Sequence, residues 1–230
     1  MGTREAHVTT QAPPLSASVE EYLEAILRLG EGGRAVPPMA LARHLAVRPA
    51  SITSMLRRLS RLGLIVYRRY QDIVLTQEGR RQGQGLIRRH RLAERLLTDF
   101  LGLPLDQAHA EACRFEHVVS PDLEGRISGA LGGPQTCPHG HPINPAGRDR
   151  TRSLLEAPLN RRLTIARLED ETPEVIRYLA ERKLLPGAEV AVRQRRAAAG
   201  TVVLESGGET HTLGVALAGT IRVQVRGRES

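Results

Sequence analysis

The sequence predicts a mainly helical protein with β elements: an N-terminal winged helix-turn-helix, two long central helices and a C-terminal small β-barrel. Three observations carry this expectation. Three short amphipathic segments with brief breaks precede Gly63, two β-rich runs around a basic turn follow it, and β-type runs recur at short spacing beyond Leu163. A chain of 230 residues is long enough for two or three domains with cores of their own.

The elements follow in order. Met1 to Leu15 is polar, contains Pro13 and Pro14, and reads as a disordered lead-in without the apolar run of a signal peptide. Ser18 to Leu29 places Val19, Tyr22, Leu23, Ile26 and Leu27 on one helical stripe, and Gly30, Gly32 and Gly33 end it. Pro38 to Ala46 predicts a second helix with Met39, Leu41, Ala42 and Leu45 inward. Pro49 opens a third that runs to Leu62, where Gly63 stops it. Leu64–Tyr67 and Ile73–Thr76 flank Arg68 and Arg69 as a hairpin, the wing. Long helices follow over Gly79–Phe100 and Leu105–Val118, then a loop from Gly132 through Thr136-Cys137-Pro138-His139-Gly140-His141. A helix over Pro173–Lys183 precedes β-type runs at Glu189–Val192, Thr201–Leu204, Thr210–Leu213 and Thr220–Val225, the spacing of a small barrel. The domains expected are 1–15 lead-in, 16–80 winged helix, 81–147 helical domain, 148–158 linker and 159–230 barrel.

Charge narrows the partners. From Arg34 to Arg91 there are thirteen arginines against two acids, Asp72 and Glu78, a local excess of +11 over 58 residues within an overall +8. Such an excess points to a polyanion, because each phosphate contact releases counterions; a solvated basic face is the alternative. Aromatic residues make up only 3%, which disfavours base stacking on single strands and leaves duplex DNA. The third helix would enter the major groove with Arg48, Ser51, Thr53 and Ser54 toward base edges. Arg57, Arg58, Arg68 and Arg69 would hold phosphates, which position a protein without specifying sequence. A winged helix can also be a protein-interaction module, but the arginine excess favours DNA. No segment approaches the roughly 20 apolar residues of a membrane span. The two cysteines, Cys113 and Cys137, are too few for a disulfide framework, so the expected compartment is the reducing cytoplasm.

The chemistry concentrates in His109, Cys113, Glu116 and His117. At about 100° per residue, offsets of four, seven and eight bring an imidazole, a thiol, a carboxylate and a second imidazole onto one helical face. Apolar side chains normally occupy such a stripe. The preceding helix repeats the pattern with His90 and Glu94, four apart. Mixed nitrogen, oxygen and sulfur donors suit first-row divalent metals. Singly, each residue has a plainer role: a surface or core histidine, a small buried hydrophobe for Cys113, an arginine partner for Glu94. Together, on two adjacent helices, they favour metal. The sequence holds no HExxH, Gly-x-Ser-x-Gly or Walker signature, and Cys113 with His117 lies on one helix without an oxyanion site. No small organic substrate is implied.

From Ser18 to Val225 the chain resembles the diphtheria toxin repressor and manganese transport regulator family. The resemblance is strongest at Arg89-His90-Arg91-Leu92-Ala93-Glu94-Arg95-Leu96-Leu97, at His109-Ala110-Glu111-Ala112-Cys113-Arg114-Phe115-Glu116-His117 and at Cys137-Pro138-His139-Gly140. It implies a winged-helix domain, a helical metal-binding and dimerisation domain and an SH3-like (FeoA-like) third domain. It also implies a homodimer that binds palindromic operators when loaded with Fe(II) or Mn(II). By position, a primary site would take Cys113, Glu116 and His117 with a first-helix carboxylate, Glu21 or Glu24. Ser18-Val19-Glu20-Glu21 also fits a capping box, which would give Glu21 a structural role instead. A second site would take His90, Glu94 and His109, or recruit Cys137 and His139 with an acid among Asp170, Glu171 and Glu174. An acidic cluster before a helix otherwise just complements its dipole. Hard oxygen ligands favour Mn(II), whereas Cys113 pulls toward Fe(II); Zn(II) would fit as a structural ion. The function implied is a metal-responsive repressor of metal-uptake genes. Its rivals are a metal carrier or enzyme with a basic surface, and a winged-helix regulator of another signal that keeps a structural zinc.

Overall fold

A computed structural model describes residues 15–30, 34–68, 71–144 and 149–225. The chain divides into two units, Met1–Gly83 and Gln84–Ser230. The expected lead-in, apart from Leu15, lies outside the described residues, as does Arg69 at the wing tip.

The first unit is a winged helix-turn-helix. In α1 (Ala17–Leu29) the buried stripe is Val19, Tyr22, Leu23 and Ile26. The N-cap is Ser16, and its side chain makes no capping hydrogen bond. Ser18 therefore lies inside the helix, and the capping box expected between Ser18 and Glu21 does not form. Both α2 (Pro38–His44) and α3 (Pro49–Arg61) open on a proline, whose missing N–H would have no helical partner there. The second helix ends two residues short of the expected Ala46, because Ala46 itself turns left-handed (φ 52°). Leu41, Ile52, Leu56, Leu59, Leu64 and Ile73 fill the core. The wing pairs β1 (Ile65–Val66) with β2 (Val74–Leu75) antiparallel, and Val36 bridges to Ile73 beside it. Its base is tied to the next helix: Thr76 Oγ1 donates to the Gly63 carbonyl (2.6 Å) and accepts from Gly79 N (3.0 Å). A β-carbon at Gly79 would collide with the Leu64 carbonyl, so this crossing requires glycine.

The helix α4 (Gln77–Arg95) begins in the first unit and ends in the second. The expected continuous helix to Phe100 loosens into a π-helical turn over Leu96–Phe100. After it come α5 (Leu105–Phe115), a 3₁₀ turn (Glu116–Val118) and α6 (Pro121–Ala130). No element was expected at α6, where Ile127 is the one buried residue; Ser120 Oγ caps it by accepting from Leu123 N (3.2 Å). The barrel comprises β3 (Arg152–Ser153), β4 (Leu163–Leu168), α7 (Pro173–Glu181), β5 (Glu189–Arg196), β6 (Thr201–Ser206), β7 (Glu209–Gly214), α8 (Val215–Thr220) and β8 (Ile221–Val225). Among the described residues its strands run in the order β3-β8-β4-β5-β6-β7, antiparallel throughout. Inward residues such as Leu163, Ile165, Val192, Leu204, Ile221 and Val223 meet Ile176 and Leu179 of α7 in one core. The expected linker over 148–158 is partly structural: β3 pairs with β8, and Leu154 and Ala157 join that core.

Candidate metal centre and nucleic-acid face

In the first unit, Arg48, Ser51, Ser54, Arg57, Arg58 and Arg68 are exposed and Thr53 is half-buried. Ser54 Oγ donates to the Ser51 carbonyl (2.9 Å), which steadies the first turn of α3. Beside them Pro38, Met39, Pro49, Ile52, Thr53, Arg57 and Tyr67 line a depression of about 400 Å³. Exposed, acid-poor arginines around a helix start are an anion-binding arrangement. Glu21 on α1 is exposed, and Glu24 is half-buried and paired with Arg28 (2.7 Å).

The second unit gathers ligand-type side chains from four segments. On α4, one turn apart, His90 and Glu94 are almost fully buried. His90 Nδ1 lies 2.6 Å from Glu116 Oε2, while its Nε2 is 3.1 Å from Glu94 Oε1 and 3.2 Å from His109 Nδ1. His109 Nδ1 also approaches Glu94 Oε1 (3.2 Å) and Glu171 Oε2 (2.7 Å). From the loop, His139 Nδ1 comes within 3.2 Å of Glu94 Oε1. His141 Nε2 contacts Glu171 Oε1 (3.2 Å) and the Leu168 carbonyl (2.8 Å).

The loop reaches this place because it is pinned to the barrel. Leu168 N donates to the His139 carbonyl (3.0 Å), and Cys137 N donates to the His141 carbonyl (2.8 Å). Gly140 adopts φ 91°, and a β-carbon there would run into the Ala166 carbonyl of β4. Only glycine permits that turn and that approach together.

The helix predicted to Val118 ends as a 3₁₀ turn over Glu116–Val118. Glu116 itself keeps the α-helical register, with its N–H on the Ala112 carbonyl, and is buried against His90; the tighter winding affects the residues after it. Cys113 stays exposed, its Sγ 3.7 Å from His109 Nε2, and belongs with His90 and His109 in one ligand-sized group. His117 is half-buried, 3.8 Å from Glu116 Oε1. Of Asp170 and Glu171 before α7 and Glu174 in its first turn, only Glu171 enters the cluster. Asp170 accepts from Thr172 N and Oγ1 in a local turn, and Glu174 sits exposed beside Arg177 (3.5 Å). Sequence reasoning did not single out His141; its alternation with His139 around Gly140 was the available signal.

These groups hold one another's protons. Burial opposes charge on His90, but Cys113, Glu116 and Glu94 outweigh it and keep its pKa well above the usual imidazole value. Burial likewise works against His109, yet Cys113, Glu171 and Glu94 raise it to about 11. Glu94 and Glu171 are held low against burial, Glu94 by the imidazoles of His109, His139 and His90, Glu171 by His109 and His141. Cys113, its partial enclosure overcome by His109 and His90, falls to about 6. Cys137 is pushed well up, first by burial and then by the charges of Glu94 and Glu171.

The donors fit a divalent cation. Glu94 Oε2 and both ring nitrogens of His139 are buried without a hydrogen bond, a cost that coordination would remove. The ligand atoms of His90, Glu94, His109 and Glu171 lie within 4.8 Å of one another, a span one ion can bridge.

Comparison with known proteins matches three successive parts of the chain. Residues 14–73 match the iron dependent repressor N-terminal DNA binding domain, 76–145 the iron dependent repressor metal binding and dimerisation domain, and 152–225 the FeoA domain. The iron-dependent repressor IdeR of Mycobacterium leprae is 31% identical over 224 residues, which are 90% of this chain and 96% of that protein. The diphtheria toxin repressor of Corynebacterium diphtheriae is 36% identical over 126 residues, 55% of this chain and 56% of its own length. A manganese-dependent transcriptional repressor solved in complex with manganese superposes with a TM-score of 0.83 at 32% identity, covering 90% of this chain and 99% of that one. The manganese regulator SloR gives 0.75 at 25% identity, over 94% and 100%. The chain belongs to the iron-dependent repressor family, as a metal-dependent, DNA-binding transcriptional repressor and not an enzyme.

Proposed function

We propose that the chain is a homodimeric repressor of metal-uptake genes, responsive to Mn(II) with Fe(II) as the alternative, that binds palindromic operator DNA in its loaded state. The observation that carries this is the group of buried His90 and Glu94 with half-buried His109 and Glu171, whose nitrogen and oxygen donors suit a divalent ion. The manganese-bound relative supports Mn(II), and the relatives named iron-dependent keep Fe(II) as the alternative. A divalent ion supplies a positive centre that satisfies several anionic and imidazole donors at once. Glu116 and His117, with Cys113, are the other proposed ligand set. Ligands preferring metal in the operator-binding conformation would shift the population toward it by their differential affinity. At the DNA, Arg48, Ser51, Thr53 and Ser54 are proposed to meet base edges and Arg57, Arg58, Arg68 and Arg69 to meet phosphates.

The test uses His117→Ala and Glu116→Ala in operator-binding assays with and without Mn(II). Both variants should lose metal-dependent binding while circular dichroism shows the fold retained. His117, half-buried, is the safer of the two for folding. Metal-dependent binding undiminished in His117→Ala and Glu116→Ala would remove these residues from the switch.

A further inference from the structure

The arginine-rich face of the winged helix holds a depression whose walls are mostly apolar. It measures about 400 Å³ and opens between the start of α2, one face of α3 and the end of β1. Pro38 and Met39 of α2 and Tyr67 just beyond β1 line it on two sides. Pro49, Thr53 and Arg57, spaced four apart, line it from α3. Both prolines open their helices, so a ring stands at each helix start where an N–H would otherwise face outward. Met39 is 53% exposed, although an apolar side chain of that size gains by burial. No acid lines the depression, and the chain neighbours of Pro49 and Tyr67 are the exposed Arg48 and Arg68.

Arginines alone would bind every duplex alike, because phosphates carry no sequence. Polar reading groups are few here, since Ser54 Oγ is already spent on the Ser51 carbonyl (2.9 Å). The apolar feature that a base edge presents in the major groove is the C5-methyl of thymine. A duplex therefore matches both parts of this face, its phosphates meeting the arginines and its thymine methyls meeting the depression. An apolar protein segment would instead bury the arginines without a counter-charge, at a cost. Met39 suits a methyl contact, because its unbranched thioether adapts to an irregular surface.

We propose that Met39 and Tyr67, together with Pro49 and Thr53, form a specificity pocket for thymine methyl groups in the operator's major groove, while Arg57 holds an adjoining phosphate. This rests on the proposal that the start of α3 meets base edges. Met39 and Tyr67 lie outside α3, so they add a selectivity that the recognition helix alone would lack.

The probe is a duplex selected from a random pool by the Mn(II)-loaded wild-type protein. Each thymine in turn is replaced by deoxyuridine, which removes only the C5-methyl. At one or two positions per half-site the replacement should weaken binding about fourfold, the worth of one buried methyl. Met39→Ser and Tyr67→Ser should each erase that difference at such a position, whereas Met39→Leu and Tyr67→Phe should keep it. Met39 is exposed, so its serine variant should fold and guards against misfolding at Tyr67. A wild-type difference retained in both serine variants would overturn the pocket, as would a selected duplex indifferent to every deoxyuridine replacement. Failure of the underlying proposal looks different: Arg48→Ala with Arg57→Ala would then bind the duplex with wild-type affinity and salt dependence.

Discussion

The two functional regions handle charge in opposite ways. In the winged helix, Arg48, Arg57, Arg58 and Arg68 stand exposed in a stretch poor in acids, so their charge is available to a partner. In the second unit, His90, Glu94 and Glu116 are buried and paired with one another, so their charge is available only to something small enough to enter. The first arrangement suits a large polyanion reached from solvent, the second a bare cation. Exposed charges change affinity without changing the fold, whereas buried ones couple ligand binding to stability.

The largest effect belongs to Glu94. Removing one partner of a buried ion pair costs about 3–5 kcal/mol, so Glu94→Ala should destabilise the metal-free protein by that order in urea denaturation and lose bound metal. Acidity should act on the same cluster with a definite sign. In the metal-free protein His109 stays protonated up to about 11, so an ion must displace its proton and Mn(II) affinity should rise as pH rises from 6 to 9. The raised pKa also means that His109 stabilises the metal-free fold fully below about 6.5, the unfolded value. That contribution fades as pH climbs through about 11. Calorimetry in buffers of different ionisation enthalpy should report protons released on Mn(II) binding; no release would contradict the proton-filled cluster.

Gly140→Ala comes next. A left-handed backbone and the Ala166 carbonyl both oppose a side chain, so the variant should lose at least about 1 kcal/mol and weaken metal binding. On the exposed side, Arg57→Ala and Arg58→Ala should leave stability within about 0.5 kcal/mol. Each should lower the salt slope of operator binding by about one while weakening all sequences alike. The smallest effect is at Glu174, exposed beside Arg177; Glu174→Ala should change neither metal affinity nor melting temperature.

This contrast also decides how much was readable in advance. The winged helix is local: Pro38, Pro49 and Gly63 punctuate it, and apolar stripes define its helices, so its elements fall within a residue or two of expectation. The metal cluster is half local. The pairs His90 with Glu94 and His109 with Cys113 are visible as helical spacings, but the partnership of Glu94 with His139 and Glu171 requires the loop to lie on β4. Glu171 could not be chosen over Asp170 and Glu174 from composition, because the choice depends on where the chain turns before α7. Nor did periodicity reveal that Glu116 meets His90, since that contact joins residues 26 apart on different helices. Within α6, glycines at 125 and 129 diluted the only apolar signal.

Operator binding by the wild-type protein under anaerobic conditions, compared in chelator, Mn(II), Fe(II) and Zn(II), tests the metal switch most directly. A duplex from the promoter of a metal-uptake gene should be bound tightly with Mn(II), or failing that Fe(II), and only weakly in chelator. Equal affinity with and without chelator would contradict the switch and leave the buried cluster a structural role alone.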